Sequence, residues 1–166
     1  MFNRLLKVRE TLTDETVKKI FGVFKYEESD DGKIRIQTDW CSKNLVNLKV
    51  GQYQIYCNIL TVPQFAGALS DIIRRGFEKE FSLENGGCFC SRHQCWKRNK
   101  PLSRHSWGIA IDANVKDNPY GKKPNMNPVI VEIFKRWGFC WGGDFKTPDG
   151  MHFEFVRFVY GCDSEV

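Results

Sequence analysis

Two short stretches constrain this chain more than anything else in it. In IAIDA (109–113) and HFEFVRFV (152–159) apolar and polar residues alternate, as they do in strands with one face in a core. Ile109 and Ile111 point to one side while Ala110 and Asp112 point to the other, and Phe153 and Phe155 oppose His152 and Glu154. If the two strands pair, Asp112 and His152 share the polar face. The apolar face then needs helices to cover it.

Amphipathic helices are present in the right number. Residues 11–25 read as one, with Thr13 as cap, Asp14 and Glu15 in the first turn, and Val17, Ile20, Phe21 and Phe24 at helical spacing. Thr61 and Pro63 open a second, with Phe65, Leu69, Ile73, Phe77 and Phe81 at i+4 steps until Asn85-Gly86-Gly87. Asn127, Pro128 and Gly138 bracket a third around Val129, Ile130, Ile133, Phe134 and Trp137. The polar run Glu27 to Gly32 reads as a turn into the strand KIRIQT, and a further strand is expected at Tyr53–Leu60. Helices and strands do not alternate regularly, so the expected fold is α+β: a single domain over residues 1–166, a small mostly antiparallel sheet flanked by helices.

The chain has 166 residues, 42% of them hydrophobic, enough to bury one core. Its net charge of +5, with a pI of about 8.8, falls short of a nucleic-acid binder, and no aromatic-basic motif supports one. No stretch approaches the ~18 apolar residues of a membrane span. MFNRLLKVRETL is broken by Arg4, Lys7 and Arg9 and lacks a signal-peptide core, so synthesis in a cytosol is expected. The seven cysteines, an odd number, read as reduced thiols. Cys88, Cys90, His93 and Cys95 have a C-x-C-x-x-H-x-C spacing that fits no usual zinc finger, which disfavours a second metal there.

The chemistry gathers on the polar face. His105 lies seven residues before Asp112, across a turn containing Gly108, and can fold over the Asp112–His152 pair, with the small Ala110 leaving room. Two imidazoles and a carboxylate form a three-ligand zinc site with a position open for water, the catalytic arrangement. Asp149, three residues before His152 in the turn PDGMH, is placed to act as a base. Singly, each residue also has a structural reading: a core histidine, or an aspartate forming a turn before glycine.

SRHSWGIAIDAN (103–114) and GFCWGGDFKTPDGMHFEF (138–155) resemble the two signature blocks, S-x-H-x-x-G-x-A-x-D and W-G-G-D-[FW]…D-x-x-H-F-E, of zinc peptidases that cut bacterial cell-wall peptides. That family includes D-alanyl-D-alanine carboxypeptidases and dipeptidases and the L-alanyl-D-glutamate endopeptidases of phage endolysins. It shares its fold with the hedgehog signalling domain. The resemblance loosens over residues 40–102, and residues 1–39 form an N-terminal extension outside it.

The resemblance implies one catalytic zinc on His105, Asp112 and His152, with Asp149 as base and an upstream arginine polarising the scissile carbonyl. Arg92 is the best match for that arginine and Arg98 the runner-up. Ser103 and Glu154 are candidates for support behind the ligands, and Trp107 and Trp141, beside the ligands in sequence, either wall the cleft or pack in the core. Arg92, Lys97, Arg98, Lys100 and Arg104 fall in a stretch without acidic residues, either a solvated loop or an attractor of anionic stem peptides. Asp rather than Glu at position 149 favours the endopeptidase branch. The implied protein is a monomeric, endolysin-like enzyme released to the peptidoglycan with the help of a holin. The alternatives are a D,D- or L,D-carboxypeptidase and a non-catalytic, hedgehog-like zinc module.

Overall fold

The computed structural model describes residues 11–37 and 39–159. MFNRLLKVRE, on which the cytosolic reading largely rests, lies outside them, as does Cys162. The fold is α+β. Helix α1 (Asp14–Phe21) leads into strands β1 (Tyr26–Glu28) and β2 (Ile34–Ile36), then α2 (Trp40–Asn44), β3 (Leu45–Val50), β4 (Tyr53–Asn58) and α3 (Val62–Arg74). A long irregular stretch reaches β5 (Ala110–Asp112), followed by α4 (Pro128–Arg136), β6 (Phe139–Trp141) and β7 (His152–Phe155).

The sheet is divided. β1–β2 and β3–β4 are separate hairpins, and β5, β7 and β6 form a three-stranded sheet with β7 in the middle, all antiparallel. β7 ends at Phe155, short of the expected 159, where Val156 and Arg157 donate instead to the carbonyl of Gly138.

Local chemistry sets the helix ends. The Thr13 hydroxyl accepts from Thr16 N at 3.1 Å, and the Asn127 side chain accepts from Val129 N at 2.8 Å. The second predicted helix is shorter than its apolar stripe. α3 stops at Arg74, and Gly76 (φ +77°) turns the chain so that Phe77 and Phe81 lie beyond it. A strict i+4 stripe drifts by about 40° per step on a 3.6-residue helix, so burial passes from Leu69 to Ile72 rather than to Ile73. Phe81 still reaches the core, edge-on to Tyr53 and 5.8 Å from Phe134. The predicted turn at Glu27–Gly32 is also shorter, because Glu27 and Glu28 belong to β1, where Glu27 stands opposite Arg35 and pairs with it.

The apolar side of the three-stranded sheet makes the core. Phe134 of α4 stacks on Phe153 at 4.3 Å, Phe65 of α3 lies 4.8 Å from Phe139, and Ile111 and Phe155 are fully buried beside them. Gly108 (φ +65°) joins this core to the β3–β4 hairpin: a Cβ there would sit 2.8 Å from Leu45 and 2.9 Å from Asn58 N, which donates to the Gly108 carbonyl. That close approach holds the turn carrying His105 against the end of β4.

Removing the Phe134 ring should therefore be expensive. Phe134→Ala is expected to lose about 3–5 kcal/mol in urea unfolding, whereas the exposed Val23→Ala should stay within about 0.5 kcal/mol of the parent. Equal losses at the two positions would contradict this core.

Candidate metal centre

β5 and β7 pair with Asp112 opposite His152 and Ala110 opposite Glu154, so the four polar-face positions stand as two cross-strand pairs. His105 enters from a single 3-10 turn, Arg104–Trp107, ended by Gly108. Ser103 caps that turn through its hydroxyl rather than touching a ligand side chain. His105 Nε2 lies 3.1 Å from Asp112 Oδ1 and 3.2 Å from His152 Nδ1, which is itself 3.0 Å from Asp112 Oδ1.

The outward nitrogens fix which ring atoms face inward. His105 Nδ1 lies 2.6 Å from the Cys88 carbonyl, which can only accept, so Nδ1 carries the proton. His152 Nε2 is 3.1 Å from Glu154 Oε2 and donates to that carboxylate. Two imidazole lone pairs and a carboxylate oxygen are thus left facing one another at hydrogen-bond distance. A proton on His152 Nδ1 can serve its contacts with Asp112 and His105 but leaves His105 Nε2 against Asp112 Oδ1. A divalent cation relieves all three, and ligand atoms ~2.0–2.1 Å from a tetrahedral zinc stand ~3.3–3.4 Å apart, close to the spacing found. His105, Asp112 and His152 can therefore hold a metal ion, and they are the one such group among the described residues.

Without a cation, protonation is the alternative relief for the same crowding. Burial opposes ionisation of Asp112, yet the charges and hydrogen bonds of His105 and His152 hold its carboxyl well below the usual range. Burial likewise opposes a charged His152, but Asp112 and Glu154 outweigh it and push its pKa up to about 10. Behind Glu154 the charges continue to alternate. Arg104 Nε is 3.9 Å from Glu154 Oε1, and its guanidinium donates to Asp14 Oδ1 at 2.7 Å and to the Leu12 carbonyl at 2.5 Å. Arg104 is buried, so it supports the site instead of belonging to a solvated loop.

Asp149 comes to the same place. Its backbone N donates to Gly142 O at 2.8 Å, and its carbonyl accepts from His152 N at 3.1 Å. Its Oδ1 is buried without a hydrogen-bond partner. Burial, with a smaller contribution from Asp112, raises its carboxyl pKa against the pull of His152, His105 and Arg92. The cleft has two lobes. One, of about 540 Å³, reaches His152, Glu154 and Lys146; the other, of about 510 Å³, reaches His105, Asp112 and Phe89. Arg92, Cys95, Tyr120 and Asp149 line both.

The two candidate arginines part company. Arg92 lines the cleft, whereas Arg98 turns away to Glu28 at 3.0 Å and Asp30 at 3.1 Å. Of the two readings of Trp107 and Trp141, the structure favours the core, and neither lines either lobe. Trp107 is buried, donating to Gly22 O at 3.0 Å, and Trp141 donates to Gly150 O at 2.8 Å and stacks on Phe153. Proximity in sequence to the ligands does not decide where a ring points, and both rings face the core side. Trp96 and Tyr120 on the rim carry no sequence signal, Cys95 stands out in the sequence only as part of the cysteine cluster, and the Cys88 carbonyl is invisible to any side-chain motif. Cys88, Cys90, His93 and Cys95 do not assemble a site: the Cys88 thiol points to Gly108 O, and His93 Nδ1 is 2.6 Å from Lys100 O. All six described cysteines are free.

Residues 97–155 match the family model of D-alanyl-D-alanine carboxypeptidases. The match supports a peptidase of that family and spans His105, Asp112, Asp149, His152 and Glu154; Arg92 and the whole of β1–β4 lie outside it. No curated protein and no solved structure matches the chain.

His105→Ala and His152→Ala should each abolish stoichiometric zinc binding. Glu154→Gln should keep the fold and weaken zinc affinity by about 10–100-fold in chelator competition, since His152 loses the charged partner that orients it. Unchanged affinity in Glu154→Gln would show that His152 is oriented by something else.

Proposed function

We propose that this protein is a zinc-dependent peptidase that hydrolyses an amide bond in peptidoglycan stem peptides, with the L-alanyl-D-glutamate bond as its target. The observation that carries the reading is the meeting of three acceptor atoms within 3.2 Å in a cleft that also holds the unpartnered, buried Asp149 Oδ1. A zinc ion, when bound by His105, Asp112 and His152, supplies Lewis acidity toward water and a carbonyl oxygen.

The remaining work falls to the chain's own groups. Asp149 takes the proton of the attacking water at Oδ1 and delivers it to the departing amine; its raised pKa makes the protonated state reachable for that second step. Arg92, lining both lobes, donates to the carbonyl oxygen as negative charge grows there. Glu154 and the Cys88 carbonyl hold the two imidazoles with their lone pairs inward. A purely structural zinc module has no use for the unpartnered oxygen of Asp149.

An internal bond needs space for chain on both sides of the scissile amide, and the cleft has two lobes that share Arg92 and Asp149, one reaching His152 and the other His105 and Asp112. This supports endopeptidase action. The second reading, a carboxypeptidase, draws on the description of the matched family and on Lys146 in the larger lobe, a cation able to meet a terminal carboxylate. Among the described residues no helix is long and apolar enough to cross a membrane. The proposed setting is that of a monomeric endolysin-like enzyme reaching the wall by way of a holin.

Digestion of purified peptidoglycan by the zinc-loaded protein, read by mass spectrometry, decides among these readings. New amino termini on D-glutamate are expected. Released D-alanine would establish the carboxypeptidase instead, and an unchanged substrate the binding module. In the same assay Asp149→Asn should retain zinc and lose about 10²–10⁴ in turnover. Near-normal turnover would exclude Asp149 as the base.

A further inference from the structure

The geometry points to Trp96 as a positioning residue for Arg92, held in place by the β1–β2 hairpin; the functional half of this inference rests on the role proposed above for Arg92. Arg92 differs from its neighbours. Arg98 and Arg104 each bridge to carboxylates, whereas Arg92 has no ion pair among the described residues. Its guanidinium carbon lies 4.9 Å from the centre of the Trp96 ring, and its one side-chain hydrogen bond among the described residues is a long one, 3.3 Å, from Nη1 to the His93 carbonyl.

This combination suits an arginine that must meet a carbonyl oxygen. A carboxylate partner would fix the guanidinium but occupy its donors and neutralise its charge. An aromatic face attracts the cation and leaves most of the N–H groups free. Lys33 lies farther from the same ring, at 6.0 Å, and is tied to Asp31 at 2.9 Å.

The backbone beneath Trp96 adopts its path against local preference. Cys95 (φ +53°) and Trp96 (φ +58°) are consecutive left-handed residues, neither of them glycine. Such a pair persists only where its surroundings overdetermine it, and here the hairpin does so. His93 N donates to Gly32 O at 2.9 Å, Ile34 N to Ser91 O at 3.0 Å, and Lys33 bridges Arg92 in antiparallel fashion. Arg98 anchors the far side of the loop to Glu28 and Asp30. Gly32 (φ +78°) permits the approach, because a Cβ there would stand 2.2 Å from the Trp96 carbonyl oxygen. A segment outside the family match is thus the mould for the loop that carries the arginine.

The test compares Trp96→Leu, Trp96→Phe, Gly32→Ala and Arg92→Ala with the parent for zinc content, kcat and KM on a soluble disaccharide-tetrapeptide, and the NMR shift of the Arg92 Nε–H group. Trp96 is 47% exposed, so its variants should fold. Arg92→Ala should lose about 10²–10³ in kcat. Trp96→Leu should lose about 3–30-fold in kcat with KM and zinc content little changed, and Trp96→Phe, which keeps an aromatic face, should recover most of it. Gly32→Ala should resemble Trp96→Leu.

The Arg92 Nε–H signal should be displaced by the ring current in the parent and in Trp96→Phe, and return to an ordinary position in Trp96→Leu. That readout needs no substrate, so it separates failure of the positioning from failure of the peptidase reading. An undisplaced signal in the parent overturns the contact. A damaged Arg92→Ala beside a fully active Trp96→Leu overturns the positioning role, and a fully active Arg92→Ala overturns the function that Trp96 is said to serve.

Discussion

Three ligand atoms held within 3.2 Å of one another on the wall of the cleft are the constraint around which the rest of the structure is arranged. Such an arrangement repels itself unless a cation lies between the atoms and each group is held from behind. The Cys88 carbonyl holds one imidazole and Glu154 the other. Glu154 is itself a buried carboxylate and needs a counter-charge, which Arg104 supplies; Arg104 in turn is fixed by Asp14 in the first turn of α1. The requirement of one site thus propagates from β7 through the ligand turn to the N-terminal helix.

What could be read from the sequence was the part governed by short-range periodicity. Alternation in 109–113 and 152–159 identified both strands, and because the period is two, the same alternation put Asp112, His152 and Glu154 on one face before any register was known. Caps at Thr13 and Asn127 were legible for the same local reason. β3 gives a weaker signal, with Asn47 and Lys49 alternating with apolar neighbours ahead of Gly51, and the stronger pattern of β4 obscures it. The apolar stripe runs past the end of α3 because apolar spacing carries no information about where the chain turns back into the core.

Long-range neutralisation was not legible at all. Arg92, Lys97, Arg98, Lys100 and Arg104 form an unrelieved basic stretch in the sequence. In the fold, carboxylates from residues 14, 28 and 30 come to meet two of them. Charge counted along the chain therefore overstates the positive field at the cleft, and it cannot distinguish Arg92 from Arg98. The distinction lies in which arginine finds a carboxylate, and those carboxylates are contributed by residues 68 to 90 positions away in sequence. The N-terminal third, outside the matched 97–155, accordingly decides how many cations the cleft retains.

The two aspartates of the site show how one cleft gives the same side chain opposite tasks. Asp112 and Asp149 both suffer burial, which disfavours the carboxylate form. Asp112 stands against two imidazoles, whose charge and hydrogen bonds more than offset the loss of water, so it stays an anion and suits a ligand. Asp149 receives those positive charges only at a distance, makes no hydrogen bond through Oδ1, and feels the negative charge of Asp112 beside it. Its proton affinity rises as that of Asp112 falls. The dependence runs one way: Asp112 remains charged because the imidazoles turn to it, and by doing so it adds to the pressure that keeps Asp149 able to take up a proton and release it.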